Sequence, residues 1–365
     1  MKIALVHDYL TQRGGAERVF ELMCKHFPTA DIYTSVYDPH NTIHLDNRTV
    51  HTTFLQNIPG TRKYFRLFAP FYYQAFRSIN LQKYDLILSS SASFAKGVQK
   101  RDDAVHICFC HNITRFLWDT DTYLREYSGF QFLQPVIKFL FKIMRQQDLD
   151  YAQSPDYYIA NSTTVAQRIN NVYNREAITI NYPIDDQRFT FSDRKQDYCL
   201  VSSRHLSYKR LDIIVAAFND LGFPLIITGE GPETAKLQVK AKDNIQFLGH
   251  VSDRDRCNLM AQAQFVIIAA LEDYGLVPIE ANASGTPVIA YGAGGVLDTQ
   301  ISGVTGILFP EQTAESLKEA IIQARTISWD YAKIRDHAIN NFSEQVFFQK
   351  VNQKIAEICQ THNLQ

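Results

Sequence analysis

The chain has 365 residues, of which 45% are apolar and 21% are charged, a composition typical of a globular protein with more than one domain. Its 37 lysines and arginines nearly balance its 38 aspartates and glutamates, and the net charge of −1 excludes a globally basic nucleic-acid-binding protein. The six cysteines are scattered without a CxxC pair, which indicates reduced, mostly buried thiols and argues against a structural metal site.

The apolar segments are all shorter than the ~18 residues that a membrane-spanning helix needs. The opening MKIALVHDYL is apolar only briefly before His7 and Asp8, which is not the pattern of a signal peptide. We therefore expect a soluble, cytoplasmic protein that is at most peripheral to a membrane.

The first half of the chain alternates short β-rich segments with helical patterns. KIALVH is typical of a strand, and the apolar residues between Ala16 and Phe27 follow the i, i+3, i+4, i+7 spacing of a helix. The further strand-like segments are YDLILSS, AVHICFC, YYIANS and AITI. Strands separated by helices pair in parallel through right-handed crossovers, so this half predicts a doubly wound sheet.

The alternation starts again after NYPIDDQRF, a polar, proline-bearing stretch at 181–189. The strand-like segments here are YCLVSSRH, PLIITGEG, IQFLGHV, QFVIIAA, PVIAYGAGG and GILFP. The sequence therefore predicts an α/β protein with two Rossmann-like, doubly wound parallel-sheet domains, over 1–180 and 181–342. A last helix over 343–365, with Ser343 as its N-cap, is expected to pack back on the first domain.

Polar residues cluster where predicted strands end, which is where ligands bind in open parallel sheets, and two such domains place the site in the cleft between them. These residues are Gly14 and Gly15 after KIALVH, Arg204 and Lys209 after YCLVSS, Gly229 after PLIIT, and Glu272 to Gly275 after QFVIIAA.

The segment with two glutamates predicts a turn and then a helix from about Leu276 to Ser284. A helix N-terminus suits a phosphate, and Arg204 and Lys209 would neutralise a diphosphate. Glu272 precedes the helix, near whatever is bound. Glu280 lies one turn inside, and because a carboxylate beside a phosphate is repelled, it better matches neutral hydroxyls such as a ribose diol.

Each feature also has an ordinary structural explanation. Gly14 and Gly15 fit a simple turn, and the chain lacks the GxGxxG pattern of a dinucleotide site. Arg204 and Lys209 fit solvated surface charges, and His111, after AVHICFC, fits a hydrogen-bonded core histidine. It is the conjunction of these features that favours a binding site.

In their order along the chain, the motifs resemble those of the family 4 retaining glycosyltransferases, which have the GT-B fold. The motifs are GGAE, SRHLSYKR, TGEGPE, FLGHVSD, EDYGLVPIEANASGTPVIA and SGVTGILF. The resemblance covers nearly the whole chain, and the segment with two glutamates is its most diagnostic part. It is most like the bacterial mannosyltransferases of O-antigen and exopolysaccharide synthesis.

This resemblance implies an enzyme whose two domains face each other across a cleft. The second domain would bind a nucleotide diphosphate sugar, with GDP-mannose favoured over a UDP-sugar, and the first would bind a glycan or lipid-linked acceptor. The resemblance further implies transfer of a hexose with retention, without a metal or a separate cofactor.

Residue by residue, the resemblance assigns a catalytic set and a donor-binding set. The catalytic set is His111, Arg204, Lys209 and Glu272, with His111 as a neutral imidazole near the sugar rather than a nucleophile or base. Arg204 and Lys209 match the diphosphate pair, and Glu280 matches the carboxylate on the ribose hydroxyls. The other donor-binding positions are Gly14, Gly15, Gly229, Gly249, Tyr274, Gly275, Leu276 and Val277. The sequence departs from the family at Ser203, usually glycine, and at Tyr274, usually phenylalanine.

Two DxD triplets, Asp119–Asp121 and Asp253–Asp255, match the metal-binding signature of glycosyltransferases of another fold. Two matches in one chain show how unspecific the pattern is, and neither follows a strand in the way that signature needs. We interpret both as solvated acids in a loop or at a helix start.

The segment 47–84 contains no acidic residue but many bases and aromatic residues, and 130–147 likewise carries Lys138, Lys142 and Arg145 without an acid until Asp148. Basic and aromatic side chains interleaved on helices suit an anionic membrane surface, here the inner face of the plasma membrane. The alternative is that the aromatic side chains belong to the core and the bases to a solvated face.

Two other functional classes remain open. A nucleotide-sugar epimerase of this fold would need extra acid and base residues in the cleft, and a phosphorylase would need a cofactor lysine; we identify neither in the sequence. A non-catalytic sugar-nucleotide-binding protein would not need the intact set of Arg204, Lys209, Glu272 and Glu280.

Overall fold

The computed structural model describes residues 1–120 and 134–364, which form two compact units. The first unit comprises Met1–Ile180 together with the chain from Lys350 onward, and the second comprises Asn181–Gln349. Each unit is built around its own parallel sheet.

Within the described residues, the sheet of the first unit has seven strands in the order β3-β2-β1-β4-β5-β6-β7. They are β1 (Ile3–His7), β2 (Asp31–Thr34), β3 (Val50–Thr52), β4 (Leu86–Ser91), β5 (Val105–Cys110), β6 (Tyr157–Ala160) and β7 (Ala177–Thr179). The strands β2 and β3 are absent from the sequence prediction, because runs of four and three residues are too short to show a periodic pattern. The central strands β4 and β5 are buried along their whole length, as expected for a sheet covered on both faces.

The helices of the first unit are α1 (Gly15–His26), α2 (Thr61–Tyr64), α3 (Ala69–Arg77), α4 (Arg115–Trp118), α5 (Gln134–Tyr151) and α6 (Thr163–Tyr173). The periodicity that predicts α1 is confirmed, because Val19, Phe20 and Met23 are buried on one face of this helix. It ends at His26, where the backbone N–H of Phe27 donates to the carbonyl of Met23.

A buried ion pair joins several of these elements. Lys96 Nζ lies 2.7 Å from Asp148 Oδ1, and the two side chains are 2% and 0% exposed. The Asp148 carboxylate also accepts hydrogen bonds from Tyr73, Thr114, Trp118 and Tyr173. This carboxylate therefore links α3, α4, α5 and α6 through polar contacts inside the core.

The sheet of the second unit has six strands in the order β10-β9-β8-β11-β12-β13. They are β8 (Cys199–Ser202), β9 (Leu225–Thr228), β10 (Ile245–Gly249), β11 (Phe265–Ile268), β12 (Val288–Tyr291) and β13 (Gly306–Phe309). All six lie within the segments predicted from sequence. The strand order reverses between β8 and β11, which makes the carboxyl ends of these two strands the topological switch point.

The helices that begin in the second unit are α7 (Leu211–Leu221), α8 (Thr234–Lys240), α9 (Asp253–Gln262), α10 (Leu276–Ala283), α11 (Ala314–Thr326), α12 (Tyr331–Phe342) and α13 (Glu344–Thr361). The helix predicted over Leu276–Ser284 is α10, and Ser284 caps its C-terminus. From Lys350 onward α13 belongs to the first unit, where Val351 and Ile358 are buried and Asn352 bonds His26. No helix in the described ranges combines the length and hydropathy needed to span a bilayer.

Candidate active site

A cavity of about 190 Å³ lies at the switch point of the second sheet. Its walls come from the carboxyl ends of β8 and β11, from the loops that follow them and from the first turns of α7 and α10. The lining includes Ser203, Arg204, Lys209, Glu272 and Val277. The structure therefore brings together the two cations and the first glutamate that the sequence analysis selected.

The charged groups of this cavity are partly paired with each other. Lys209 Nζ lies 2.7 Å from Glu272 Oε1, and these side chains are 18% and 20% exposed. Arg204 is exposed, and its guanidinium lies 3.4 Å from the hydroxyl of Tyr208. Two cations and one carboxylate thus line the cavity, which favours an anionic ligand, and Lys209 is the cation less screened by water.

Gly229 and Gly249 shape the backbone behind this cavity. Gly229 has φ +99, and a Cβ on it would lie 2.0 Å from the carbonyl oxygen of Ser203, so no other residue fits. Its N–H donates to the carbonyl of Gly249 at 2.8 Å. These glycines allow the strand ends of β8, β9 and β10 to approach closely.

The loop that carries Glu272 is supported by two glycines after β12. The N–H of Gly295 donates to the carbonyl of Glu272 at 2.8 Å. A Cβ on Gly294 would lie 2.3 Å from that carbonyl oxygen, and a Cβ on Gly295 would lie 2.4 Å from the Cα of Tyr274. The sequence pattern predicts GAGG only as the end of a strand, although adjacent glycines after a strand also indicate such a close approach.

The Tyr274 side chain is buried rather than directed at a ligand. It is 5% exposed, and its hydroxyl donates to the carbonyl of Tyr182 at 2.6 Å. Tyrosine stands here where the family usually has phenylalanine, and its additional hydroxyl therefore has a hydrogen-bond acceptor inside the protein. Gly275, with φ +86, then turns the chain into α10, and Val277 reaches the cavity wall.

Glu280 has a partner that the sequence analysis did not identify. Arg256 Nη1 lies 2.6 Å from Glu280 Oε2, and these side chains are 16% and 5% exposed. Arg256 lies on α9, directly after the FLGHVSD motif, and its guanidinium also lies over the ring of Phe189. The Glu280 carboxylate, which we expect to bind ribose hydroxyls, is therefore also paired with Arg256 of α9.

The candidate residues of the first unit lie around β1, α1 and β5. Gly14 is the N-cap of α1 and Gly15 its first residue; a Cβ on Gly14 would lie 2.6 Å from Glu17 Oε2. His111 is nearly buried, and its Nε2 lies 2.7 Å from Ser90 Oγ. Burial, assisted by the nearby His7, lowers the pKa of His111 to about 3, so it is a neutral imidazole at physiological pH.

The DxD triplet at Asp253–Asp255 lies in the first turn of α9. The Ser252 hydroxyl caps this helix by accepting from the N–H of Asp255, and Asp253 pairs with Arg188. Asp121 of the other triplet lies outside the described residues. Within 1–120 and 134–364, no group of three or more His, Cys, Asp or Glu side chains could hold a metal ion.

The architecture agrees with that of known proteins over nearly the whole chain. HepE from Anabaena, solved with UDP, superposes with a TM-score of 0.70 at 18% identity over 98% of this chain and 100% of that one. Sucrose-phosphate synthase from Thermosynechococcus elongatus superposes with a TM-score of 0.72 at 17% identity over 99% and 100%. At these identities the likeness is one of fold, and the fold is GT-B.

Family models assign each half of the chain. Residues 13–188 match the model described as Glycosyltransferase Family 4, and residues 184–342 match the model described as Glycosyl transferases group 1. The chain therefore contains a glycosyltransferase family 4 domain followed by a glycosyltransferase group 1 domain.

Curated relatives match shorter stretches. An uncharacterized glycosyltransferase of Methanocaldococcus jannaschii is 25% identical over 46% of this chain and 49% of its own length. A GDP-mannose-dependent phosphatidylinositol monomannoside mannosyltransferase of Corynebacterium glutamicum is 31% identical over 32% of each chain. The matched parts therefore span half or less of these relatives.

Proposed function

We propose that this protein is a retaining glycosyltransferase that moves a hexose from a nucleotide diphosphate sugar to a glycan or lipid-linked acceptor. The observation that carries the proposal is the cavity at the switch point of the second sheet, where Arg204 and Lys209 lie beside Glu272. The helix α10 begins at Leu276, a short turn after Glu272, and its N-terminus adds backbone N–H groups, which suit a phosphate.

In the proposed reaction, the bond between the anomeric carbon and a phosphate oxygen breaks, and negative charge develops on the leaving diphosphate. Lys209, Arg204 and the first N–H groups of α10 stabilise that charge because they are held in place before the reaction begins. Glu272 faces the sugar, and Glu280 orients the ribose. The new bond forms to an acceptor oxygen on the same face, and the leaving phosphate takes the acceptor's proton.

We propose GDP-mannose as the first donor to test and a UDP-sugar as the second. The Corynebacterium glutamicum relative is described as GDP-mannose-dependent, and a Rhizomucor pusillus relative is described as an α-1,3/1,6-mannosyltransferase. HepE, in contrast, was solved with UDP-glucose. The choice among GDP, UDP and ADP is therefore the first experiment.

One nucleoside diphosphate is expected to raise the melting temperature of the protein, and we expect it to be GDP. At 100 times its dissociation constant, a ligand that binds only the folded state adds about 2.7 kcal/mol to the free energy of unfolding. Thermal denaturation with GDP, UDP and ADP in parallel measures this. No shift with any of the three would contradict the donor-site assignment.

The matched variants of this experiment are Arg256→Met and Arg254→Met, two changes of the same kind on α9. Arg256 holds the buried Glu280, so its loss should weaken nucleotide binding roughly 10- to 150-fold, which corresponds to the loss of one hydrogen bond to a charged group. Arg254 is exposed, and its loss should leave binding unchanged. Incubation of labelled donor without acceptor adds a second control, because an epimerised product would identify the alternative class.

We further propose that the first unit contacts an anionic membrane, where a lipid-linked acceptor would lie. The aromatic residues of the acid-free segment divide into two groups: Phe65, Tyr72, Tyr73 and Phe76 are buried in the core, whereas Tyr64 and Phe71 are about half exposed. Leu67 is 76% exposed, and Arg62, Lys63 and Arg66 around it are exposed as well. The buried residues thus fit the interpretation as core, and the proposal of membrane contact applies only to the exposed ones.

The long helix α5 has a similar exposed surface. Val136, Phe139, Leu140 and Ile143 are each more than 40% exposed, and Lys138 and Lys142 lie among them, also exposed. The predicted segment begins at residue 130, so its first four residues lie outside the described ranges. Exposed apolar residues interleaved with bases fit insertion into the headgroup region of a lipid leaflet.

The protein is expected to sediment with anionic vesicles at low salt and to be partly released as salt is raised. Each base near such a surface contributes about 1 kcal/mol, and that contribution fades over a Debye length of roughly 8 Å at physiological salt. The triple variant Arg62→Glu, Lys63→Glu, Arg66→Glu should lose most of this binding. An equal charge change at the exposed Lys236, Lys240 and Lys242 of the second unit is the control. Equal sedimentation of the two triple variants would contradict the proposed surface.

A further inference from the structure

The helix α10, whose N-terminus the proposed mechanism uses, contacts the first residues of the second unit at both of its ends. These first residues are 181–192, here termed the entry segment. The backbone N–H of Ser192 donates to the carbonyl of Ser284, the C-cap of α10, at 3.4 Å. A Cβ on Gly285 would lie 2.7 Å from the ring of Phe191, so this glycine allows the entry segment and the end of the helix to approach closely.

The chain just before α10 is tied to the entry segment by Tyr274. Its hydroxyl donates to the carbonyl of Tyr182 at 2.6 Å, and the two rings lie edge to face with their centroids 6.0 Å apart. Both side chains are buried. Tyr274 stands between Glu272, which pairs with Lys209 in the cavity, and Gly275, the N-cap of α10. The hydroxyl of Tyr274 therefore links the loop that carries Glu272 to the entry segment.

The C-terminal end of α10 is tied to the same segment by Arg335 of α12. Its Nη1 donates to the carbonyl of Ala283, the last residue of α10, and to the carbonyl of Phe189 at 3.1 Å. The last carbonyls of a helix have no partner inside the helix, and a cation there also interacts favourably with the negative end of the helix dipole. The ring of Phe189 also lies under Arg256, the partner of Glu280. Arg335 therefore joins the end of α10 to the entry segment.

The short length of α10 makes these external contacts decisive. The helix has eight residues, and an isolated helix of fewer than about 12 residues is marginal in water, so its position depends on what packs against it. Three of the groups assigned to the donor, which are Glu272, the first N–H groups of α10 and Glu280, belong to this loop and helix. Such groups stabilise developing charge only when they are held in the productive geometry before the reaction.

We propose that Tyr274 and Arg335 are positioning residues, through which the entry segment holds both ends of α10 in the geometry that transfer requires. Tyr274 orients the loop of Glu272 and the N–H groups at the start of the helix, and Arg335 keeps the helix from shifting along its axis. Both act through α10 rather than on the donor itself. Their role in transfer rests on the proposed function, whereas the anchoring of α10 does not.

The first variant is Tyr274→Phe, which removes one hydroxyl and keeps the ring. It should lower kcat about three- to tenfold, the factor of one neutral hydrogen bond, and leave the Kd of the nucleoside diphosphate within about twofold. This split is expected because a displaced N–H group costs most in the transition state, where the phosphate charge develops. Tyr198→Phe is the matched control, since Tyr198 is also buried and donates to the carbonyl of Leu259 at 2.8 Å, outside α10 and the entry segment. It should lower the melting temperature similarly but leave kcat unchanged.

The second variant is Arg335→Met, which removes the anchor at the other end of α10. It should lower kcat at least about tenfold, because it removes hydrogen bonds from a charged donor. Arg335→Lys keeps a donor for one of the two carbonyls and should recover part of that activity. Arg325→Met is the control: Arg325 also lies over a phenylalanine ring, that of Phe223 at 4.3 Å, but it bonds Asp197 and Gln264 rather than α10. Its loss should leave kcat unchanged.

Hydrogen exchange of the ligand-free protein tests the anchoring without activity. Mass spectrometry of peptides covering 276–283 reports on the amides of α10. Tyr274→Phe and Arg335→Met should each speed their exchange several-fold, because a helix opens more often when its contacts are removed. Tyr198→Phe and Arg325→Met should leave this exchange as it is in the wild type.

The outcomes separate this inference from the proposed function. If Tyr274→Phe and Arg335→Met match their controls in exchange and in kcat, the proposal is overturned. If both variants speed the exchange of α10 but no nucleoside diphosphate binds the wild type, the proposed function fails and the anchoring stands. If the wild type binds nucleotide and transfers sugar while both variants keep its kcat, the inference fails alone.

Discussion

Replacing Lys209 by methionine is expected to lower kcat about 100- to 1,000-fold, which is what the loss of one preorganised group that stabilises developing charge costs. Lys209 is only 18% exposed, so solvent screens its charge less than it screens the charge of the exposed Arg204. Steady-state transfer from the donor identified by the nucleotide screen measures the effect. Wild-type turnover in Lys209→Met would remove this residue from the site.

Two further variants separate the charge of Lys209 from its pairing with Glu272. Arg210→Met removes the adjacent cation, whose guanidinium bonds Asp212 and Gln312, and it should stay within threefold of wild type. Lys209→Met alone leaves the partly buried Glu272 carboxylate without its cation, whereas the double variant Lys209→Met, Glu272→Gln removes that carboxylate as well. We expect the double variant to lose less activity than the two single losses together, because residues in contact are not independent.

Replacing Asp148 by alanine is expected to destabilise the first unit by about 3–5 kcal/mol, the effect of removing one partner of a buried ion pair. The change leaves Lys96, which is 2% exposed, without its counter-charge. It also removes the acceptor for Tyr73, Trp118 and Tyr173. The melting temperature of the first unit should fall on the order of 10 °C, as calorimetry of the whole protein can measure.

Asp150→Ala is the matched control for this loss of stability. Asp150 lies on the same helix, is exposed, and accepts a hydrogen bond from Gln146. Its replacement should change the melting temperature little, as is usual at exposed positions. A second variant, Lys96→Met with Asp148→Leu, should recover part of the lost stability, because it leaves no charge unpaired. Equal melting temperatures of Asp148→Ala and Asp150→Ala would show that this pair does not stabilise the unit.

Local patterns in the sequence were sufficient for most of the architecture. All six strands of the second sheet and the helices α1 and α10 follow from apolar runs, helical spacing and glycine signals within a few residues. Pairs that are distant in the chain could not be found this way: Ser90 lies 83 residues after His7, and Arg256 lies 24 residues before Glu280. Phosphate repulsion and the family resemblance therefore predict a role for Glu280, but neither predicts its pairing with Arg256.

Composition also could not divide the acid-free segment into core and surface. Phe65 and Leu67 are two residues apart, yet one is 8% exposed and the other 76% exposed. The segment folds as a strand, short helices and turns rather than one long helix. No single hydrophobic repeat in its sequence therefore distinguishes the buried residues from the exposed ones. Only the packing against the sheet of the first unit decides which aromatic side chains are buried.

The first unit is discontinuous in the chain, since it takes its last part from residues after Lys350. During translation, every residue of the second unit is therefore made before the first unit is complete. Until then, the surface that receives Val351 and Ile358 must stay uncovered, and exposed apolar surface in a partly made chain is where aggregation and chaperone binding occur. A ribosome that stops at residue 349 would release an intact second unit attached to an unfinished first one. Loss of α13 would thus damage the first unit, although this helix lies at the opposite end of the sequence from most residues of that unit.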